Sequence, residues 1–419
     1  MTPRSDHEGP RPASDDRGRD GDLKMIRPLR RQPAAIAELA DGYLMVYRMP
    51  RTRGGHTVAT GMLFVPRKTP PKNGFPLIVY CHGTTGWAAQ WAPSTYVENA
   101  SHPKYKTHWE YATSIATLLA EGYVVVAPDY EGLGDPELGV PADSNTYFSS
   151  RGEGRSVYFA VVAAKRGLGD ALSGAWAAVG HSQGGRVVLA AAEHLGEFRG
   201  TEPALEFRGG IPIAPSTNAV ARMNERWAAV ESATASYDPE SALFYLALLS
   251  SYCILFVKAL NAAGHRIDPE YMFGERALRF FRERDRLDHW SLMGEVMQDA
   301  ALYVYCDVSD NRVYNPPTTY PGVRIDAINS PAFKEPMEAN EIGRVYVPGE
   351  FLIVQGTTDL YTPEPWCCKL VNTMLSHGTS VRYSIQVGAD HYGVLQSPAS
   401  RGIMQEHLRR LFADHCWPM

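Results

Sequence analysis

The pentapeptide Gly180-His181-Ser182-Gln183-Gly184 constrains the fold more than any other stretch of this chain, because of what stands on either side of it. The apolar segment 175–179 precedes it, and 186–195, rich in Val, Leu and Ala, follows with the look of a helix. A strand that turns directly into a helix through one serine leaves no room for side chains at the neighbouring positions, which accounts for the glycines. Such a turn lifts the serine hydroxyl over the carboxyl edge of a sheet, where α/β folds place their ligands. Ser182 is therefore the candidate nucleophile.

The same alternation of strand-length and helix-length segments runs through much of the chain. Segments 43–49 and 57–65 are apolar and β-branched around Arg51-Thr52-Arg53-Gly54-Gly55, which predicts an opening hairpin. Segment 77–81 is continuously apolar, as a strand buried on both faces must be, and ends in His82-Gly83-Thr84-Thr85-Gly86. A helix over 107–121, which includes Trp109, is stopped by Gly122 and followed by a strand over 123–127. Asp129, Glu131 and Asp135 follow it and read as loop-bracing or capping carboxylates, since no His or Cys accompanies them at metal spacing. A helix over 154–165, a strand ending at Val179 and another over 208–214 continue the pattern. The expected fold class is α/β, a doubly wound mostly parallel sheet.

After Pro215 strand signals lapse until 351–355; a last strand over 381–387 and a helix over 405–412 close the chain. The expected organisation is a disordered leader over 1–22, a core over 23–214 and 350–419, and a helical cap or lid inserted over 215–349. Within the insertion, 241–257 carries no charge and reads as a buried cap helix; at its length a membrane-facing or acyl-binding role is the competing interpretation.

Composition sets the class of partner. With 44% hydrophobic and 21% charged residues the chain can build a large core, and a net charge of −5 without a basic cluster argues against nucleic acid. The leader has no apolar core, so a cytoplasmic location is expected, or an extracellular one where a signal precedes this chain. Six cysteines, Cys81, Cys253, Cys306, Cys367, Cys368 and Cys416, show no metal spacing and are expected as buried reduced thiols. No metal and no cofactor is expected.

A serine hydroxyl needs a general base within hydrogen-bond reach and a carboxylate that fixes the base's tautomer. Asp359 stands in the loop after one strand, in Gly356-Thr357-Thr358-Asp359, and His391 in the loop after the last, in Gly388-Ala389-Asp390-His391. Their order after Ser182 is the one this class of fold uses. Asp390 adjoins His391 and is the weaker competitor for the acid. The backbone amides of Gln183 and Thr84, with Thr85 as alternative, are expected to form an oxyanion hole. His82, Thr85, His181 and Tyr392 are expected around the substrate, although a histidine in the position of His82 more often braces its turn.

These motifs resemble those of the α/β-hydrolase superfamily over about residues 40–415. Gln90-Trp91-Ala92-Pro93-Ser94, Ala127-Pro128-Asp129-Tyr130-Glu131-Gly132 and the helical insertion are similar to the secretory lipase family of the lipase A type. That resemblance implies an esterase or lipase with a cap over the acyl site. Aromatic residues of the insertion, among them Trp227, Phe244, Tyr252 and Trp290, suggest an apolar or aromatic small-molecule ester, and a lipid interface stays open as a partner. The same triad would serve an amidase or peptidase, which an acidic pocket from Glu225, Glu231, Glu240 or Glu275 would favour. A non-catalytic binding protein on this fold is the third reading.

Overall fold

The computed structural model describes residues 18–99, 110–142, 144–284, 287–305, 307–308, 311–312 and 314–415. Residues 1–17 of the leader, Trp109, Cys306 and Cys416 lie outside the described residues.

Nine strands form one sheet: β1 Leu23–Pro28, β2 Ala40–Pro50, β3 His56–Pro66, β4 Phe75–Cys81, β5 Val124–Pro128, β6 Leu172–His181, β7 Glu206–Ile213, β10 Glu350–Gly356 and β11 Ser380–Gln386. The short strands β8 Asp307–Val308 and β9 Asn311–Arg312 pair apart from it. The order across the sheet is β1-β2-β3-β5-β4-β6-β7-β10-β11, antiparallel through β3 and its pairing with β5, parallel from β5 onward. The chain is thus α/β with a doubly wound, mostly parallel sheet. The predicted hairpin is β2–β3, paired without a slip from Ala40 opposite Pro66 to Pro50 opposite His56.

Period two places Leu77, Val79, Val124, Val126, Trp176 and Ala178 on one face of the sheet, under the helices Ser150–Leu168 and Gln183–Glu193. Ile78, Tyr80, Val125, Ala127, Ala177 and Val179 face the helices Glu110–Glu121 and Pro398–Leu411. Both faces are covered, which is why the central strands read as unbroken apolar runs.

The insertion folds mainly as helices, including Ala219–Ala235, Pro239–Ala263, Glu275–Glu283, His289–Val304 and Pro331–Ala339. They share a core of their own, which Trp87, Tyr147 and Phe148 of the base join. The uncharged stretch is the middle of Pro239–Ala263, buried without a break over 246–257. Cys81, Cys253, Cys367 and Cys368 are free thiols, of which Cys368 is part-exposed.

Candidate active site

β6 ends at His181, and Ser182 follows at φ 60° and ψ −116°, a conformation that non-glycine residues rarely adopt. The turn is held by Ser182 N–H donating to the Ile213 carbonyl (2.9 Å) and by Ser216 N–H donating to the Ser182 carbonyl (3.1 Å). A Cβ on Gly180 would strike the Gly184 carbonyl, and one on Gly184 the Cys81 carbonyl, so the flanking glycines are required by contact. Behind the turn lies a buried cluster the sequence did not flag. Glu153 accepts from Gln183 Nε2 (2.9 Å) and from Arg186 Nε (3.2 Å), and Arg186 also lies over the Phe148 ring, 3.8 Å to its centre.

Asp359 and His391 come together as their positions after β10 and β11 predict. His391 Nδ1–H donates to Asp359 Oδ2 at 2.7 Å, with both residues buried. Asp359 Oδ1 accepts from the amides of Tyr361 and Thr362 (2.8 Å each), and Oδ2 accepts from the Thr362 hydroxyl (2.8 Å) and Gln355 Nε2 (3.3 Å). Burial alone would raise the acid, but the His391 and Thr362 hydrogen bonds outweigh it and hold the carboxyl at about 2. Asp390 instead closes its own turn, accepting from the Tyr392 and Gly393 amides. Among the described residues no hydrogen bond joins Ser182 Oγ to the His391 ring; such contacts commonly tighten only with substrate in place.

The loop after β4 packs against the Ser182 turn. Among the described residues neither the Thr84 nor the Gln183 amide donates to a protein acceptor. The Thr84 hydroxyl shares a hydrogen bond with Tyr147 (3.0 Å), and the Thr85 carbonyl accepts from the His289 amide (2.9 Å), while Gly86 bridges Asp288. The insertion is thereby tied to this loop by its backbone.

Two residues expected among the substrate contacts are taken up by the frame instead. His82 is buried, its Nδ1 against the Gly83 carbonyl (2.7 Å), its Nε2 against the Asp129 carbonyl (3.2 Å) and its face stacked on Tyr130 (4.1 Å). His181 Nε2–H donates to the His391 carbonyl (2.7 Å), and its Nδ1 accepts from the Tyr111 hydroxyl (3.3 Å). The ring nitrogens of both face protein atoms, and burial lowers His82 to about 4 and His181 to about 3, so both stay neutral and His82 donates to only one of its two carbonyls. His181 has a different use: it fixes the backbone of the loop that carries His391. Tyr392 stays beside the site, 5.3 Å from the His391 ring and part-exposed, and Thr85 is buried. The early carboxylates brace loops: Asp129 accepts from Thr60 and Ser94, Glu131 from Thr52, and Asp135 caps a short helix.

The sheet, the strained serine turn and the acid–histidine pair define the class. The sequence profile described as the Alpha/beta hydrolase family matches residues 78–400, and this chain belongs to that family. Among solved structures it is similar to Candida antarctica lipase A in its closed state, with a TM-score of 0.66 and 14% identity, covering 96% of this chain and 84% of the other. A putative hydrolase from Legionella pneumophila matches with a TM-score of 0.66 and 16% identity, over 94% of this chain and 100% of the other. The rice cell wall degrading esterase LipA from Xanthomonas oryzae matches with a TM-score of 0.64 and 17% identity, over 95% and 99%. No curated protein sequence gives a match.

Proposed function

We propose that this chain is a serine carboxylic ester hydrolase working through an acyl-enzyme. The observation that carries the proposal is the 2.7 Å bond between His391 Nδ1 and Asp359. With Nδ1 holding a proton for the carboxylate, Nε2 is the basic nitrogen and is free to take the Ser182 proton. Ser182 Oγ attacks the acyl carbon, and the amides of Thr84 and Gln183 receive the charge that develops on the carbonyl oxygen. His391 returns the proton to the leaving alcohol and then activates the water that frees the acid. Asp359, ionised at any working pH, stabilises the imidazolium in both half-reactions. The solved neighbours described as a lipase and an esterase agree with ester chemistry.

For the amide reading, Glu225, Glu231, Glu240 and Glu275 all lie exposed, so these four build no buried acidic pocket for a substrate amine. The deciding experiment is initial rates on p-nitrophenyl esters from acetate to palmitate, for wild type and Ser182→Ala, below and above each ester's solubility limit. Serine-dependent turnover on a short or medium chain supports a carboxylesterase, and a rise above the solubility limit a lipase. Silence on every ester, or equal rates in Ser182→Ala, overturns the proposal.

A further inference from the structure

Two arginines stand over the site without an ion-pair partner; Glu341 and Asp359 act on Arg222, and Glu225 on Arg226, only as nearby charges. Arg222 and Arg226 lie one turn apart on the helix Ala219–Ala235 and are 5% and 7% exposed. Arg222 donates to the Tyr361 carbonyl (2.8 Å) and the Ser216 hydroxyl (2.7 Å); Arg226 donates to the same carbonyl (3.1 Å) and lies 5.0 Å from the centre of the Tyr252 ring. Every one of these partners is neutral. Among the described residues neither guanidinium forms an ion pair, whereas buried Arg186 pairs with Glu153 (3.2 Å) and buried Arg48 with Asp20 (3.5 Å). A buried cation that no carboxylate contacts directly is costly, and two side by side repel as well. Burial, with the charge of Arg222 adding to it, lowers Arg226 to about 10, which leaves it protonated at neutral pH.

Their place is the roof of the candidate active site. The Tyr361 ring lies 5.1 Å from that of His391, and Ser216, which holds Arg222, is bonded through its amide to the Ser182 carbonyl. Tyr252, beneath Arg226, stands against Thr84 and lies 4.2 Å from the His289 ring. The contacts therefore run in an arc from the Thr84 loop to the Asp359 loop, past Ser182. Along this arc Arg222 Nε, Thr85 Oγ1 and both ring nitrogens of His289 are buried without a partner, a hydrogen-bonding capacity that folded proteins rarely leave unused. Arg222 and Arg226 also line a cleft beside the acid loop. Its wall also carries Asp359, Glu225 and Glu364; Glu225 accepts from Trp366 Nε1 and Glu364 from the Tyr383 hydroxyl, neutral donors that hold these carboxylates without cancelling their charge.

We propose that Arg222 and Arg226 form an anion subsite and that the ester hydrolysed carries a free carboxylate at the far end of an apolar or aromatic acyl chain. The guanidinium fork matches a carboxylate in shape as well as charge. The assignment rests on the ester-hydrolase reading for its chemistry and on the unpaired arginines for its specificity.

The test compares the 4-nitrophenyl monoester of suberic acid with its methyl-capped form. Wild type should favour the anionic ester in kcat/KM by about 10- to 100-fold, the range of hydrogen bonds to a charged group, and Arg226→Gln should collapse that ratio toward unity. Equal rates on the two esters in wild type overturn the subsite. So does an Arg226→Gln variant that slows both equally, because the arginine then only holds Tyr361. A binding arm needs no turnover and no arginine variant: calorimetry on Ser182→Ala with suberate and with dimethyl suberate. Suberate binding alone, with neither ester hydrolysed, keeps the subsite and overturns the ester reading; no preference for suberate in this arm overturns the subsite.

Discussion

Ser182 spends backbone strain, on the order of 1–3 kcal/mol, to stand above the sheet edge, so its removal tests chemistry more than stability. Ser182→Ala should abolish ester turnover while leaving the thermal unfolding midpoint unchanged or slightly raised, as calorimetry beside rate assays will show. Asp359→Asn should lower kcat by roughly 10⁴-fold, since the amide favours the wrong tautomer of His391. Glu153→Ala should cost about 3–5 kcal/mol in urea unfolding, because it leaves Arg186 buried and unpaired behind the Ser182 turn. Ser182 and Asp359 could be singled out in the sequence because each stands at or just beyond the end of an apolar, strand-length run, and His391 because it follows the last strand-length segment, which alternates apolar and polar residues. Arg222, Arg226 and Glu153 could not. Their significance depends on whether a partner far away in the chain meets their charge, and Arg186 and Arg222 look alike until their neighbours are known.

At the scale of elements, the helix His289–Val304 begins where Asp288 caps it, accepting from the Trp290 and Ser291 amides, and the same turn bonds the Thr85 carbonyl and bridges Gly86. Asp288→Ala should cost about 1 kcal/mol in unfolding free energy, and should lower kcat on a neutral ester by more than a comparably destabilising substitution elsewhere, such as Leu302→Gly on the exposed face of that helix. Equal effects on kcat would mean that the cap and the Thr84 loop are independent. The central strands were legible because both their faces are buried. β1 was not, since its six residues alternate between half-buried and exposed at a sheet edge and include Lys24, Arg27 and Pro28. The long helix of the insertion was legible by its lack of charge over 241–257, but it extends to Ala263, where Gly264 in a left-handed conformation ends it. Polar residues such as Asn261 at that end do not announce a helix.

For the whole molecule, acid should act through buried histidines. His82 and His407 are lowered to about 4 and His181 and His289 to about 3, burial being the main cause in each. The unfolded chain therefore binds more protons below 6.5, and each group withdraws about 1.4 kcal/mol of stability per pH unit on the way down. Asp129, raised by burial to about 6, opposes this, and burial raises Glu131, Glu153 and Glu193 in the same sense; the histidines, whose unfolded value of about 6.5 lies highest, take up their protons first and set the sign. The urea midpoint should fall from pH 7 to pH 5; a flat or rising midpoint would contradict the neutral state of these rings. The hydrogen bond between the His289 amide and the Thr85 carbonyl has a consequence of another kind. An insertion fastened by its backbone to the loop proposed to polarise the ester cannot swing away and leave that loop ready for catalysis. Under the proposed mechanism the roof belongs to the catalytic machinery, and the cleft beside Arg222, Arg226 and Leu360 becomes the doorway the anion proposal requires, where two arginines would inspect each molecule before Ser182 could reach it.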